Sequence, residues 1–428
     1  MRAASLAKRA SVWTASPWRL AVLGIGFALL VLCRKPGVVL HAELWGDDGW
    51  SWYPDAYRVG FRSLLLPAGG YLNTLQRLVG VAAQPFPLTW TPTLFAEAAL
   101  IVQVLPAIFL VSDRMAPVWP QSWARLLFAL IFLVMPNEIE LYVNLTNAQW
   151  HLGLLAFLVL VSAPPAGRAG KVFDTVVLLL SGLSGPFCIF LLPIAGLQIV
   201  EQRTATSRWR ACVLGAAALV QAWFYFSAPH GGRSMAPLGA GPRGLARIVA
   251  LQVLLGAELG YDTIAPFPGL AFWQSNVLPV LVALCGVVLG GVALLRGSRL
   301  LVKLTVFAAL VFAATLASPQ ASLTQPQWHL LTYPPMGNRY YAVPMLAWLA
   351  MLFTLAADRD RVLRCIGVVL LAILCGWAIP HDFQEPRFPG TDFLSRARAF
   401  AAAPPGTRME FPIHPPGLSP MVLVKRAP

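Results

Sequence analysis

The feature that most constrains this chain is the recurrence of apolar blocks of roughly 15–22 residues, each ended by Arg, Lys, Pro or Gly. Blocks of that length, repeated from residue 18 to residue 380, read as membrane spans rather than as the core helices of a water-soluble domain. Only 12% of the 428 residues are charged and 57% are hydrophobic. A soluble chain carries about 25% charged residues, so the expected fold is an all-α polytopic membrane protein.

Windows of ~19 residues place about 11 spans near 18–40, 93–112, 124–137, 150–163, 172–184, 187–200, 211–227, 276–295, 301–317, 340–357 and 362–380. The basic N-terminus precedes the first block without a good cleavage site, and Arg34-Lys35 interrupts the end of that block. It reads as an uncleaved first span. With the N-terminus in the cytoplasm, the inside loops carry Arg114 and Arg125, then Arg168 and Lys171, then Arg203, Arg208 and Arg210. Arg296, Arg299 and Lys303 follow, then Arg359, Arg361 and Arg364. Each inside loop is short and basic, as positive-inside orientation requires. Residues 1–380 are thus expected as the transmembrane domain and 381–428 as a short extracytoplasmic tail. Residues 244–260 have helical periodicity but include Arg247 and Glu258, and read as an interfacial or re-entrant helix.

The net charge of +14 raises the question of nucleic acid. The basic residues are scattered over short loops without a run, a pattern that fits topology and anionic lipid and leaves no nucleic-acid partner. The bias to arginine, alanine, glycine and proline suggests a bacterial source, and the expected location is the inner membrane. The six cysteines form no CxxC pair and no disulfide framework. No Gly-rich nucleotide loop and no nucleophile elbow occurs.

The first outer segment, 41–92, is the richest in chemistry. Asp47 and Asp48 lie beside Trp45, Trp50 and Trp52, and ionised carboxylates close to hydrocarbon are costly. A carboxylate in a partly desolvated pocket suits a base that takes a proton from an acceptor hydroxyl; Asp-Asp-Gly is equally the sequence of a solvated turn. Arg58 and Arg62 are four residues apart in an amphipathic stretch, on one face if it is helical. They could grip a phosphate diester or touch headgroups. The segment 69–78 is expected to carry Tyr71, Asn73 and Arg77 at the membrane face.

Further on, Asn144, Asn147, Gln149, Trp150 and His151 stand at the outer mouth of the fourth span. They suit sugar hydroxyls and a pyranose face, or simply an aromatic belt and helix cap. Ser181–Phe187 is a Gly/Pro break, either a tight turn or unwound backbone lining a cavity. Arg339, beside Tyr340 and Tyr341, is a second phosphate-binding candidate, and His230 and Arg233 could join it. The six histidines are scattered without metal spacing, so no cofactor is expected. A divalent ion held by Asp47 or Asp48 with Glu43 is the one metal arrangement conceivable.

The series LWGDDGW, AYRVGFRSLL and PAGGYLNTLQRL, followed by NAQWHL, SGPF, NRYYAVP and the closing MEFPIHPPGLSPMVL, resembles the GT-C superfamily of polyprenyl-phosphate-sugar-dependent glycosyltransferases. The resemblance implies a GT-C-like fold with amphipathic helices in a long first extracytoplasmic loop, and a catalytic base on Asp47 or Asp48. It implies a polyprenyl-phosphate-linked sugar as donor and a cell-envelope glycan or lipid as acceptor. Where that family often has Glu first in the acid pair, this chain has Asp-Asp. Its tail is also too short for a sizeable acceptor-binding domain. The rival expectation is a transporter or flippase of lipid-linked glycan, which needs ionisable residues within the spans. Glu97 and Asp174 are the two that stand out. Oligomeric state is not legible.

Overall fold

The computed structural model describes residues 17–227, 234–384 and 390–427. His230 and Arg233 lie outside the described residues.

The described residues are mostly helical, with one small sheet among them. In order come α1 (Pro17–Arg34), α2 (Tyr53–Val59), α3 (Thr74–Ala82), α4 (Thr91–Val111), α5 (Ser122–Leu133), α6 (Ala148–Val161), α7 (Arg168–Gly182) and α8 (Phe187–Gln202). Then follow α9 (Ala205–Ser227), α10 (residues 242–259), α11 (Val277–Arg296), α12 (Arg299–Ala317), α13 (Ala342–Ala356), α14 (Arg361–Asp382) and α15 (Phe393–Ala402). Every expected apolar window coincides with one of these helices. Among the described residues five helices, namely α4 with its preceding turn, α9, α11, α12 and α14, are long and apolar enough to cross a membrane.

Burial explains the layering. In α6 every residue except Gln149 is buried, and the helix is apolar all round, so it forms the centre. It packs on α4, α7 and α8 and stacks Phe157 on Phe307 of α12 at 5.4 Å. At the periphery the polarity is the reverse of a soluble protein. In α11 the buried residues are Pro279, Gly286, Gly290 and Ala293, while Val280, Leu281, Leu284, Val287 and Val288 face outward. α1 exposes Val22, Ile25 and Leu29, and α9 exposes Leu219, Trp223 and Phe226. A continuous apolar exterior of this kind belongs in lipid.

The segment 244–260 is packed within the bundle for most of its length. Pro242–Ile248, a π-helical stretch Val249–Leu255 and Gly256–Leu259 run on as one rod, α10, packed on α11 and α13. The apolar run of this rod is buried from Ile248 almost to its end, which takes Glu258 inside with it. The C-terminal tail folds as a hairpin packed on α15. Strands β1 (Arg408–Phe411) and β2 (Met421–Val424) pair antiparallel, with Arg408 opposite Val424. Phe411 of β1 packs on Phe393 and Phe400 of α15, with ring centroids 5.6 Å apart in each pair.

This tail is fastened to the acid-bearing loop. Gly46 N–H donates to the His414 carbonyl (2.7 Å), and His414 N–H donates to the Leu44 carbonyl (2.9 Å). Trp50 Nε1 donates to the Ser419 carbonyl at 2.7 Å. Across the loop, α3 approaches so closely that a Cβ on Gly80 would sit 2.5 Å from the Trp52 carbonyl oxygen.

Candidate functional site

The acid pair sits at the start of a π-helical turn, Asp48–Trp52, that leads directly into α2. The turn separates the two carboxylates. Asp48 is buried; its Oδ2 accepts Trp45 N–H (3.1 Å) and its Oδ1 lies 2.8 Å from Thr146 Oγ1. Thr146 Oγ1 also accepts Trp52 Nε1–H (3.2 Å) and lies 3.2 Å from the Trp45 carbonyl. The threonine has one proton for two oxygen neighbours. A protonated Asp48 resolves this by donating to Thr146, which then donates to Trp45. Burial, followed by weaker opposing hydrogen bonds from Thr146 and Trp45, pushes the Asp48 carboxyl up to about 7.

Asp47 is different. Half-buried, it has no hydrogen-bond or ion-pair partner among the described residues. Burial raises its pKa, and the charges of Arg339 and Arg77 work against that rise. Its oxygens are therefore unengaged by hydrogen bonds, within electrostatic range of two guanidiniums.

Each guanidinium is anchored by a carboxylate. Arg77 is buried, donates to Asp55 Oδ2 at 3.0 Å and lies 5.1 Å from the Trp52 ring centroid. It and Asn73 are buried in the loop, not at the membrane face as the sequence suggested. Arg339 donates to Glu140 Oε2 (2.7 Å), the Gln320 carbonyl (3.2 Å) and Tyr340 Oη (3.0 Å). Those bonds leave two of the five guanidinium N–H groups for a ligand.

Arg58 and Arg62 do not share a helical face. Gly60 (φ +58°) ends α2 between them, and Arg62 falls in the following 3₁₀ turn. Arg58 is exposed and paired with Asp55 at 2.9 Å; Arg62 is exposed. The charges acting on Asp47 are those of Arg339 and Arg77.

The aromatic and amide candidates divide similarly. Trp45 lines a cavity of about 340 Å³ together with Lys35, His41, Glu43, Asp48 and Tyr142. Trp50 clasps the tail and Trp52 is core. Tyr71 closes a small turn through a bridge to Ala68. Asn147 Nδ2 donates to the Glu140 carbonyl (2.9 Å), and Gln149 Oε1 accepts from Gln76 (2.8 Å). Trp150 packs between Phe187 and Tyr340, with centroids at 5.2 and 5.9 Å. His151 is buried against Phe132 rather than open at the mouth. The Gly/Pro break is a turn clasped to the first loop: Gly185 N–H donates to the Leu72 carbonyl (2.9 Å), with Gly185 at φ +97°. Gln221 Nε2 donates to the Leu72 and Gly185 carbonyls at 3.2 and 3.1 Å.

For a metal, Glu43 would have to join the aspartates, but its carboxylate accepts from Thr391 N–H (3.1 Å) and the Thr391 hydroxyl. No group of three His, Cys, Asp or Glu gathers among the described residues.

Within residues 134–147, sequence reasoning picked out Asn144 and Asn147 but passed over Glu140 and Thr146. This irregular segment is almost wholly buried, and Asn137 (φ +56°) and Val143 (φ +46°) are both held in left-handed conformations. For a β-branched valine that is a genuine outlier, and such strain concentrates at functional sites. The segment supplies Glu140 and Thr146, the partners of Arg339 and Asp48. Arg34, buried at the end of α1, holds it through the Met135 carbonyl (2.8 Å) and Tyr142 Oη (3.1 Å). The positive φ at non-glycine residues leaves no mark in sequence.

No family model, no curated protein and no solved structure matches this chain.

Proposed function

We propose that this protein is a membrane-embedded glycosyltransferase of GT-C type. It would move a sugar, with inversion, from a polyprenyl-phosphate carrier to a cell-envelope glycan or lipid on the extracytoplasmic face of a bacterial inner membrane. About 11 crossings with a cytoplasmic N-terminus are part of this reading. The observation that carries it is the contrast within the acid pair: Asp48 is bonded into the loop, and Asp47 is free beside Arg339 and Arg77. Asp47 takes the acceptor hydroxyl proton as the acceptor oxygen bonds to the anomeric carbon. The bond from that carbon to the phosphate oxygen breaks, and the polyprenyl phosphate leaves with the electron pair. Arg339, with N–H groups to spare, meets the charge developing on that phosphate, an interaction worth most where water is scarce. Trp45, which lines the cavity beside Asp48, is the aromatic offered to a sugar, while Arg58 and Arg62, exposed on the loop, meet lipid headgroups.

The test is transfer in proteoliposomes from radiolabelled polyprenyl-phosphate sugars. Asp47→Asn should lower turnover at least 100-fold, the scale of a lost general base.

One observation favours the rival transporter. Glu258 is buried against the middle of α13, where Oε1 accepts Trp348 Nε1–H at 3.0 Å and Oε2 has no partner. Asp174, by contrast, is fully engaged by Arg114 (2.6 Å) and Arg210 (2.7 Å). Carrier movement between leaflets that is lost in Glu258→Gln, with no transfer from any donor, would favour transport.

A further inference from the structure

A second cavity, of about 850 Å³, lies at the end of the bundle opposite the acid loop. Its position follows from the helices that frame both sites. Asn147 and Gln149 stand at the start of α6 and Arg339 just before α13, whereas the cavity is lined by Leu154 and Leu158 further along α6 and by Ala350 and Phe353 of α13. Its walls are overwhelmingly apolar and aromatic. Trp119, Phe128 and Phe353 pack mutually edge-on, with centroids 5.4–6.5 Å apart. The polar groups gather at one end. Exposed Arg296 and Arg359 are there with Asp358, which lies 3.7 Å from Arg296 and partly offsets it. Exposed Arg299 and Arg361 flank that rim in sequence, with exposed Asp360 between Arg359 and Arg361, so four arginines against two aspartates leave the balance positive.

We propose that this cavity holds an acyl chain of an anionic phospholipid, with the phosphate at Arg296 and Arg359. The volume lies toward the upper end of the roughly 300–1,000 Å³ typical of ligand pockets, and an apolar chamber of that size is too dry in character to be filled by ordered water. The walls also belong to short helices. α5 has 12 residues, α6 has 14 and α13 has 15, which at ~1.5 Å per residue fall short of ~30 Å of hydrocarbon. A lipid chain completes what these helices do not span. The guanidiniums supply the charge complementarity that separates an anionic headgroup from a zwitterionic one.

The test is native mass spectrometry of the full chain released from vesicles of phosphatidylglycerol and phosphatidylcholine in equal parts. The wild type should keep one phosphatidylglycerol in at least tenfold preference. Ala350→Trp, which fills the chamber, should lose that lipid while eluting as a folded monodisperse species. If that variant does not fold, the Arg296→Gln/Arg359→Gln double variant still decides, because it should bind both lipids alike. Equal retention of the two lipids by the wild type, or an unchanged preference in the double variant, overturns the proposal. So does preferential retention of added polyprenyl phosphate over phosphatidylglycerol. None of these readouts depends on transfer activity.

Discussion

Two adjacent aspartates with the same side chain have been given opposite circumstances by their neighbours. Asp48 meets Thr146, almost a hundred positions away, and becomes part of the loop; Asp47 has no such partner and feels the charges of two arginines. This difference has a consequence for pH. The Asp48 carboxyl is raised by burial to about 7, above its ordinary 3.8, so its contribution to stability is complete below the lower value and vanishes as pH rises through the upper one. Between pH 5.5 and 8.5 the wild type should therefore lose about 2 kcal/mol relative to Asp48→Asn, followed as detergent-phase unfolding at several pH values. A flat difference would mean that Asp48 is ionised throughout. The acid pair itself was legible in the sequence, because charge beside hydrocarbon is conspicuous. Which acid is free was not, since the deciding hydroxyl is remote in the chain. Arg77 was legible as a charge but not as a buried one, because its partner Asp55 lies 22 positions earlier.

At the scale of elements, the first loop keeps its shape because three pieces of chain close on it. α3 presses on the π-helical turn through Gly80, the turn at Gly185 bonds to Leu72, and the tail hairpin holds Trp50 and Gly46. Gly80→Ala would put a Cβ against backbone, which cannot move aside as a side-chain tip can. It should cost about 1–3 kcal/mol and lower transfer in parallel, measured as the unfolding midpoint and turnover of the same preparation. The apolar windows foretold each long helix because hydropathy alone sets those segments. The arginines and glutamate of α10 underlay the expectation of an interfacial or re-entrant helix; Glu258 is accommodated inside by Trp348, and the flanking apolar side chains pack the helix into the bundle. The tail's strands are four residues each, too short for alternation to announce them.

For the whole molecule, the shared axis of α6 and α13 sets the polar, acid-bearing loop at one end and an apolar chamber with a basic rim at the other. With the proposed orientation, the first end faces the outside. Single cysteines introduced by Ser395→Cys and Ala166→Cys, both at exposed positions, into a variant whose six native cysteines are replaced by serine or alanine read this directly. In intact cells a membrane-impermeant maleimide should label the former and spare the latter until the membrane is opened, and the reverse pattern would invert the molecule. The helical membrane character was legible from composition and block length. The strained segment 134–147, which joins the acid loop to Arg339 through Glu140, was not, because its irregular backbone follows from tertiary contacts alone.

The inequality of the two aspartates is tested most directly by carrier-dependent transfer in proteoliposomes, with wild type, Asp47→Asn and Asp48→Asn compared at equal folded protein. Loss of at least 100-fold in Asp47→Asn, with Asp48→Asn retaining most of its turnover, is the result predicted. Full activity in Asp47→Asn, or loss confined to Asp48→Asn, would contradict it.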